Sequence, residues 1–269
     1  MVSMNNKPTS VVLIGAGNLA SSFAEALKGK REIIQVYSKT LTHAKALGQK
    51  LKCSFTHDLK KIYPDADLYI IAVKDDAITE VCKKLRLPGK LVIHTSGSTE
   101  LGILKKISDK SGVLWPMYSF AGKPNLIPET PFFIEASDPG SKRELTRLVK
   151  EFKGKPYYMD SEKRMMLHMA AVFVNNFPNH LFAIAENLCK EAQVPFRLLL
   201  PLLHETIHTI EKQSPALTQT GPANRNDHLI INRHLALLSK EKNLKRYKEV
   251  YKVLTESIIA SNHGGRKKR

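Results

Sequence analysis

The sequence predicts an α/β protein: an N-terminal parallel sheet covered by helices on both faces, followed by an all-helical half. Two patterns carry this. Up to about residue 160, short continuous apolar runs alternate with helical periods, as in strands buried on both faces. Beyond Asp160 the apolar spacing becomes three and four, and strand signals cease. A length of 269 residues agrees with two domains of about 150 residues each. The division predicted is 1–160 and 161–269.

The elements follow in order. Val11 to Ile14 is a buried strand, and Asn18 to Leu27 a helix. Ile33 to Tyr37 is a second strand, with a helix over Thr42 to Leu51. Leu68 to Val73 is the third clear strand, with a helix from Asp76 to Leu85. Leu91 to His94 and Gly112 to Trp115 are further strands, and Pro131 to Ile134, a helix over Ser141 to Phe152, and Pro156 to Met159 complete the half. Ser161 is placed to cap a long helix reaching Cys189, with Asp160 and Glu162 suited to its positive end. Helices are also expected over Arg197 to Gln213, Asp227 to Ser239 and Leu244 to Ala260, with Pro201 delaying or kinking the first.

Composition narrows the function classes. The chain is 42% hydrophobic and 25% charged, which disfavours disorder, collagen and coiled coil. Its longest apolar stretches fall far short of the ~18 residues of a membrane span. The first ten residues lack the apolar core of a signal peptide, so a cytoplasmic chain is expected. Cys53, Cys82 and Cys189 form no C-x-x-C pair and read as reduced thiols. Forty-two basic against 25 acidic residues gives +17, a field that favours phosphate-bearing partners, although a solvated lysine-rich surface is the preferred reading and the charge alone does not decide function. No nucleic-acid motif accompanies the charge, and nucleic acid is not expected as a partner.

The strand Val11 to Ile14 runs directly into Gly15-Ala16-Gly17-Asn18-Leu19-Ala20, a G-x-G-x-x-A at a strand-to-helix turn. Gly15 permits the tight turn, Gly17 lets the backbone approach a pyrophosphate on the helix N-terminus, and Ala20 keeps helix and sheet close. In this alternating context the motif predicts dinucleotide binding and a Rossmann-type domain. The second strand ends Tyr37-Ser38-Lys39-Thr40, where an NAD site wants an acid for the ribose hydroxyls. Hydroxyls flanking a cation suit a 2′-phosphate, so NADP is the expected cofactor. The third clear strand ends Ala72-Val73-Lys74-Asp75, and the next His94-Thr95-Ser96-Gly97-Ser98. Strand C-termini of an open sheet face the ligand crevice, which brings Val73 and Ser96 towards the nicotinamide end. Thr95 and Ser96 suit a turn equally well, and His94 reads as a strand-end histidine.

Together these motifs resemble the superfamily of pyrroline-5-carboxylate reductase and deazaflavin-dependent NADP oxidoreductases. His168-Met169-Ala170-Ala171-Val172-Phe173-Val174-Asn175-Asn176 and Thr220-Gly221-Pro222-Ala223-Asn224-Arg225-Asn226-Asp227 are similar to a branch that joins a Rossmann-like domain to a C-terminal helical domain of unknown function. The resemblance covers nearly the whole chain. Trp115-Pro116 stands where the relatives start with His-Pro, and Asn226 where the branch carries glycine. The resemblance implies a homodimer and an interdomain substrate cleft.

On one helix Asn176 lies two turns and about 80° from His168, and Asn175 is more nearly aligned. A histidine there can donate a proton to the atom that gains negative charge as hydride arrives. Asn176 can orient a carbonyl or imine, and Arg225 can clamp a carboxylate. The structural alternatives are a hydrogen-bonded buried histidine and a helix-packing asparagine, with Asp227 either fixing Arg225 or capping the next helix. His204-Glu205-Thr206-Ile207-His208 matches the H-E-x-x-H zinc-hydrolase helix. It lacks the extended motif's glycine, position 211 being Glu, and it leaves the dinucleotide domain without a role, so no metal is expected. The expected function is an NADP-dependent oxidoreductase acting on a small carbonyl or imine compound. The alternative is a non-catalytic NADP sensor or scaffold.

Overall fold

The computed structural model describes residues 9–120 and 128–265. The chain divides into two compact units at Val172 and Phe173.

In the first unit, β1 (Ser10–Ile14), β2 (Glu32–Tyr37), β3 (Ser54–Thr56), β4 (Leu68–Ile71), β5 (Leu91–His94), β6 (Ser111–Pro116), β7 (Pro131–Ala136) and β8 (Lys155–Tyr158) form one sheet. Their order is β3-β2-β1-β4-β5-β6-β7-β8, with the strand order reversing at β1 and β4. Helices α1 (Asn18–Leu27), α2 (Leu41–Leu51), α3 (Asp75–Lys84) and α4 (Pro139–Glu151) cover it. The side-chain period of two separates the cores. Val11 and Leu13 pack with Phe23 of α1 and Leu145, Leu148 and Phe152 from the α4 region, whereas Val12 and Ile14 pack with Ile78 and Val81 of α3. Phe23 sits 4.7 Å from Phe152 and 6.2 Å from Phe132, ring centre to ring centre. Each such fully buried side chain contributes roughly 1.5–3 kcal/mol through burial.

Two features of the sheet differ from the sequence expectation. The sheet is not wholly parallel: β7 runs antiparallel to β6, with Trp115 opposite Phe133, and β8 follows β7 in parallel. Antiparallel neighbours need no crossover, and the apolar pattern within a strand does not record its direction. Strand β3 has only three residues, too few to show alternation.

Asp160, not Ser161, caps α5 (Ser161–Ala171): its Oδ1 accepts from the Lys163 amide at 2.8 Å. The Ser161 hydroxyl instead donates to Glu135 at 2.7 Å. The expected continuous helix from 161 to Cys189 is broken by a π-helical segment over Val172–Asn176, before α6 (Phe177–Glu191). Pro178 has no amide hydrogen to give the Val174 carbonyl, and its ring clashes with that carbonyl in regular α geometry; widening the helix relieves both.

The second unit continues with α7 (Leu200–Lys212), α8 (His228–Lys240) and α9 (Lys248–Gly265). A short 3-10 turn over Phe196–Leu199 precedes α7, whose second residue is Pro201. Its buried apolar cluster is small: Ile184, Leu238, Leu244 and Tyr247. Val174, Leu198, Leu202, Leu217 and Leu229 are each more than 60% exposed. Among the described residues, no helix is long and apolar enough to cross a membrane.

Candidate functional site

The glycine turn lies at the C-terminal end of β1, where the strand order reverses. Gly15 has φ +135°, and a Cβ built on it would lie 2.1 Å from the Ala72 carbonyl oxygen. The turn is pinned by Gly15 N donating to Tyr37 O and Ala72 N to Ile14 O, both at 2.8 Å. Gly17 is the opposite case: it is exposed, and a Cβ there would meet nothing within 4 Å. Gly17 caps α1 without a side chain, and no acid stands in the first turn. Among the described residues no side chain takes up the positive N-terminus of α1, which leaves its amides to an anion approaching the backbone, as a pyrophosphate requires. Ala20 is fully buried and Leu19 packs against the core, holding the helix to the sheet. Asn18 donates from Nδ2 to the Phe120 carbonyl at 2.8 Å, tying the turn to the segment after β6.

At the end of β2, Lys39 is the exposed cation of Ser38-Lys39-Thr40. Its Nζ lies 4.0 Å from Glu80, with the side chain 86% exposed. Tyr37, Lys39, His57, Lys60 and Lys84 line a cavity of about 450 Å³ together with Asp58, Leu59 and Glu80. Lys84 holds Glu80 at 2.8 Å, which keeps that carboxylate below its usual range. Lys39 therefore shares Glu80 with the closer Lys84 and keeps its ammonium exposed. The Ser38 hydroxyl accepts from the Thr40 amide at 3.4 Å, shaping the turn.

The β5 end is more tightly built than the sequence suggests. Ser96 is buried, and its hydroxyl accepts from the amides of Ser98 (3.1 Å) and Thr99 (2.9 Å), so it organises the turn. Ser98 in turn donates to Asp75, the first residue of α3 beyond the half-buried Val73. His94 is fully buried. Its Nδ1 accepts from the Ser96 amide at 3.2 Å, and burial pushes its pKa down to about 4. It is a neutral structural imidazole.

His168 belongs to the first unit and meets this turn. A Cβ on Gly97 would lie 2.6 Å from His168 Cδ2 and 2.8 Å from the Trp115 indole. The Trp115 and His168 rings are 5.6 Å apart, and Trp115 also packs on Phe133 at 5.3 Å. One turn earlier on α5, Arg164 is buried; it donates to Glu135, to the Thr99 carbonyl and to the Ser161 hydroxyl. This anchor fixes α5 against the β5 turn and therefore places His168. Sequence reading did not single out Arg164 or Glu135, because an arginine in a first helical turn carries no mark of burial. Gly97 and Trp115 were visible only as motif letters.

Asn176 and Arg225 belong to the second unit, and both are exposed. Asp227 caps α8, its Oδ1 accepting from the Ile230 amide at 3.2 Å. Asn226 has φ +54°, a left-handed conformation that only glycine and, next best, asparagine adopt readily. This explains how asparagine replaces the expected glycine there. His208 Nε2 lies 2.6 Å from Lys212 Nζ, and among the described residues no cluster of three metal-ligating side chains occurs.

A sheet reversing order at a glycine turn, a bare helix N-terminus and a cationic second-strand end define a dinucleotide-binding architecture. Residues 10–97 match the family model described as NADP oxidoreductase coenzyme F420-dependent, and residues 130–258 match Domain of unknown function (DUF2520). The solved "putative NADP oxidoreductase" of Bacteroides fragilis is 38% identical, with a TM-score of 0.84 over 94% of this chain and 99% of that one. The chain belongs to this NADP oxidoreductase family, in which a DUF2520 domain follows the dinucleotide domain, and NADP is the cofactor of the family. In fold it is also similar to an imine reductase of Myxococcus stipitatus solved with NADP+ (16% identity, TM-score 0.66, 95% of each chain). A pyrroline-5-carboxylate reductase of Coxiella burnetii shares the fold more distantly (16% identity, TM-score 0.54, 96% of this chain and 98% of that one). No curated protein matches the chain significantly.

Proposed function

We propose that the protein binds NADPH at the Gly15–Ala20 turn and reduces a small carbonyl or imine compound beside the end of β5. The observation that carries this is the contrast between Gly15, closed against β4, and Gly17, open over a free helix N-terminus. The Gly17 and α1 amides would hold the pyrophosphate, and Lys39, with Ser38 and Thr40, the 2′-phosphate. NADPH supplies the hydride; the protein holds the acceptor in place and delivers a proton. His168, anchored through Arg164 and packed on Trp115, is the proton donor or substrate anchor. Asn176 is assigned the orientation of the acceptor, and Arg225 the holding of an anionic substituent, a carboxylate by preference. The small core and exposed apolar residues of the helical unit support a homodimer.

Titration with NADPH and NADH, followed by nicotinamide fluorescence, tests the cofactor. NADPH binds more tightly, and Lys39→Asp weakens NADPH far more than NADH; equal losses would refute the 2′-phosphate assignment. Keto acids and cyclic imines are then screened for NADPH consumption. His168→Gln is expected to abolish turnover while leaving NADPH affinity unchanged. Tight NADPH binding without turnover across the screen would favour a cofactor sensor. Light scattering is expected to give twice the chain mass.

A further inference from the structure

Helix α4 separates its charges. Glu144 and Glu151 close on the buried Arg31 guanidinium at 2.7 and 2.6 Å. The helix's four cations, Lys142, Arg143, Arg147 and Lys150, line a groove of about 530 Å³ with Thr146 and Tyr158, and among the described residues no carboxylate lines it. Among the described residues, Arg147 alone of the four forms an ion pair, with Glu151 at 3.4 Å. Among the described residues, Arg143 and Lys150 make no ion pair or side-chain hydrogen bond. The wall of the groove is ordered: Lys142 Nζ sits 4.1 Å over the Tyr158 ring, and the Tyr158 hydroxyl pairs with Thr146 at 2.9 Å. Like charges at three- and four-residue spacing repel one another on a helix. Here the neutralising acids have been drawn to Arg31, so the groove is left to an external anion.

We propose that this groove binds an oligophosphate anion, one with two or more linked phosphate groups. Lys142 to Lys150 spans about 12 Å along the helix, more than a single phosphate bridges. Arginine forks and lysine point charges together suit several phosphate oxygens. Among the described residues lining the groove, the one aromatic ring, Tyr158, already carries Lys142 on its face, which disfavours stacking of nucleic-acid bases there. The groove is distinct from the cofactor turn, because β8 is the opposite edge of the sheet, five strand spacings or about 24 Å from β1. It does not depend on the reductase reading.

The test is calorimetric titration of tripolyphosphate into protein saturated with NADPH, with orthophosphate and a single-stranded oligonucleotide in parallel. Tripolyphosphate is expected to bind one per chain, to weaken as salt rises, and to bind about tenfold more tightly than orthophosphate. The double variant Arg143→Gln/Lys150→Gln should weaken it about tenfold, and Tyr158→Phe by less, with Tm and NADPH affinity unchanged. No tripolyphosphate binding, undiminished binding to the double variant, parity with orthophosphate, or tighter binding of the oligonucleotide would each overturn the proposal. Should NADPH not bind, the same titrations on the unsaturated protein and the double variant judge the groove separately.

Discussion

The two glycines of the first turn separate folding from cofactor binding. In Gly15→Ala the new methyl would lie 2.1 Å from the Ala72 oxygen and 2.7 Å from its carbonyl carbon. Both are backbone atoms, and ordinary carbon–oxygen contacts begin near ~3.3 Å. The end of β4 or the turn must therefore move by about an ångström. Overpacking of this kind costs roughly 1–3 kcal/mol, and the backbone at φ +135° adds roughly 1–3 more for an L-residue. A loss of about 4 kcal/mol is a large share of a total stability of roughly 5–15 kcal/mol. It corresponds to a fall in Tm of about 10 °C for a unit of this size. In Gly17→Ala the methyl enters open space at φ −82°, so stability should stay within about 0.5 kcal/mol. NADPH affinity should nevertheless drop about tenfold or more, as the methyl holds the pyrophosphate off a backbone amide. Urea denaturation and NADPH fluorescence titration read the two effects. An unaltered NADPH affinity in Gly17→Ala would refute the pyrophosphate site, and a wild-type melt for Gly15→Ala would refute the close approach.

Other outcomes follow from the same geometry. His94 has its folded pKa lowered from 6.5 to about 4. The unfolded chain thus binds the proton more readily, and stability is complete above pH 6.5 and declines as pH falls towards 4. That decline amounts to about 3 kcal/mol. His94→Gln should flatten this part of the pH–stability curve; an unchanged slope would show that another group titrates there. Arg164→Met leaves Glu135 without its cation and should cost about 3–5 kcal/mol by thermal melt. It should also change the emission of Trp115, the chain's one tryptophan, because His168 shifts; an unchanged melt would show that the anchor is dispensable. Asn226→Ala should lose about 1 kcal/mol at its left-handed position and Asn226→Gly should not, and the opposite ranking would refute the φ assignment.

What was legible in the sequence was whatever short-range pattern enforces. Val11 to Ala20 announces its strand, turn and helix because each residue type there answers a local steric demand. The buried strands show as apolar runs, and the missing acid after Tyr37 is a one-residue observation with a direct electrostatic meaning. The antiparallel β7 was not legible, because strand direction depends on the path between strands rather than on composition within them. The π-helical break needed the clash of Pro178 with a carbonyl one turn earlier, which overrode a regular apolar period. Asp160 displaced Ser161 as the cap because the serine hydroxyl was drawn to Glu135, a partner 26 positions away. His168 as a letter was ambiguous between packing and chemistry. Its place beside Gly97 and Trp115 is decided by long-range contacts, chiefly Arg164 to Thr99 and Glu135. Local chemistry therefore determined the dinucleotide domain and its cofactor class, and only tertiary packing decided which polar side chains stand free at the end of β5 and which are consumed in holding it.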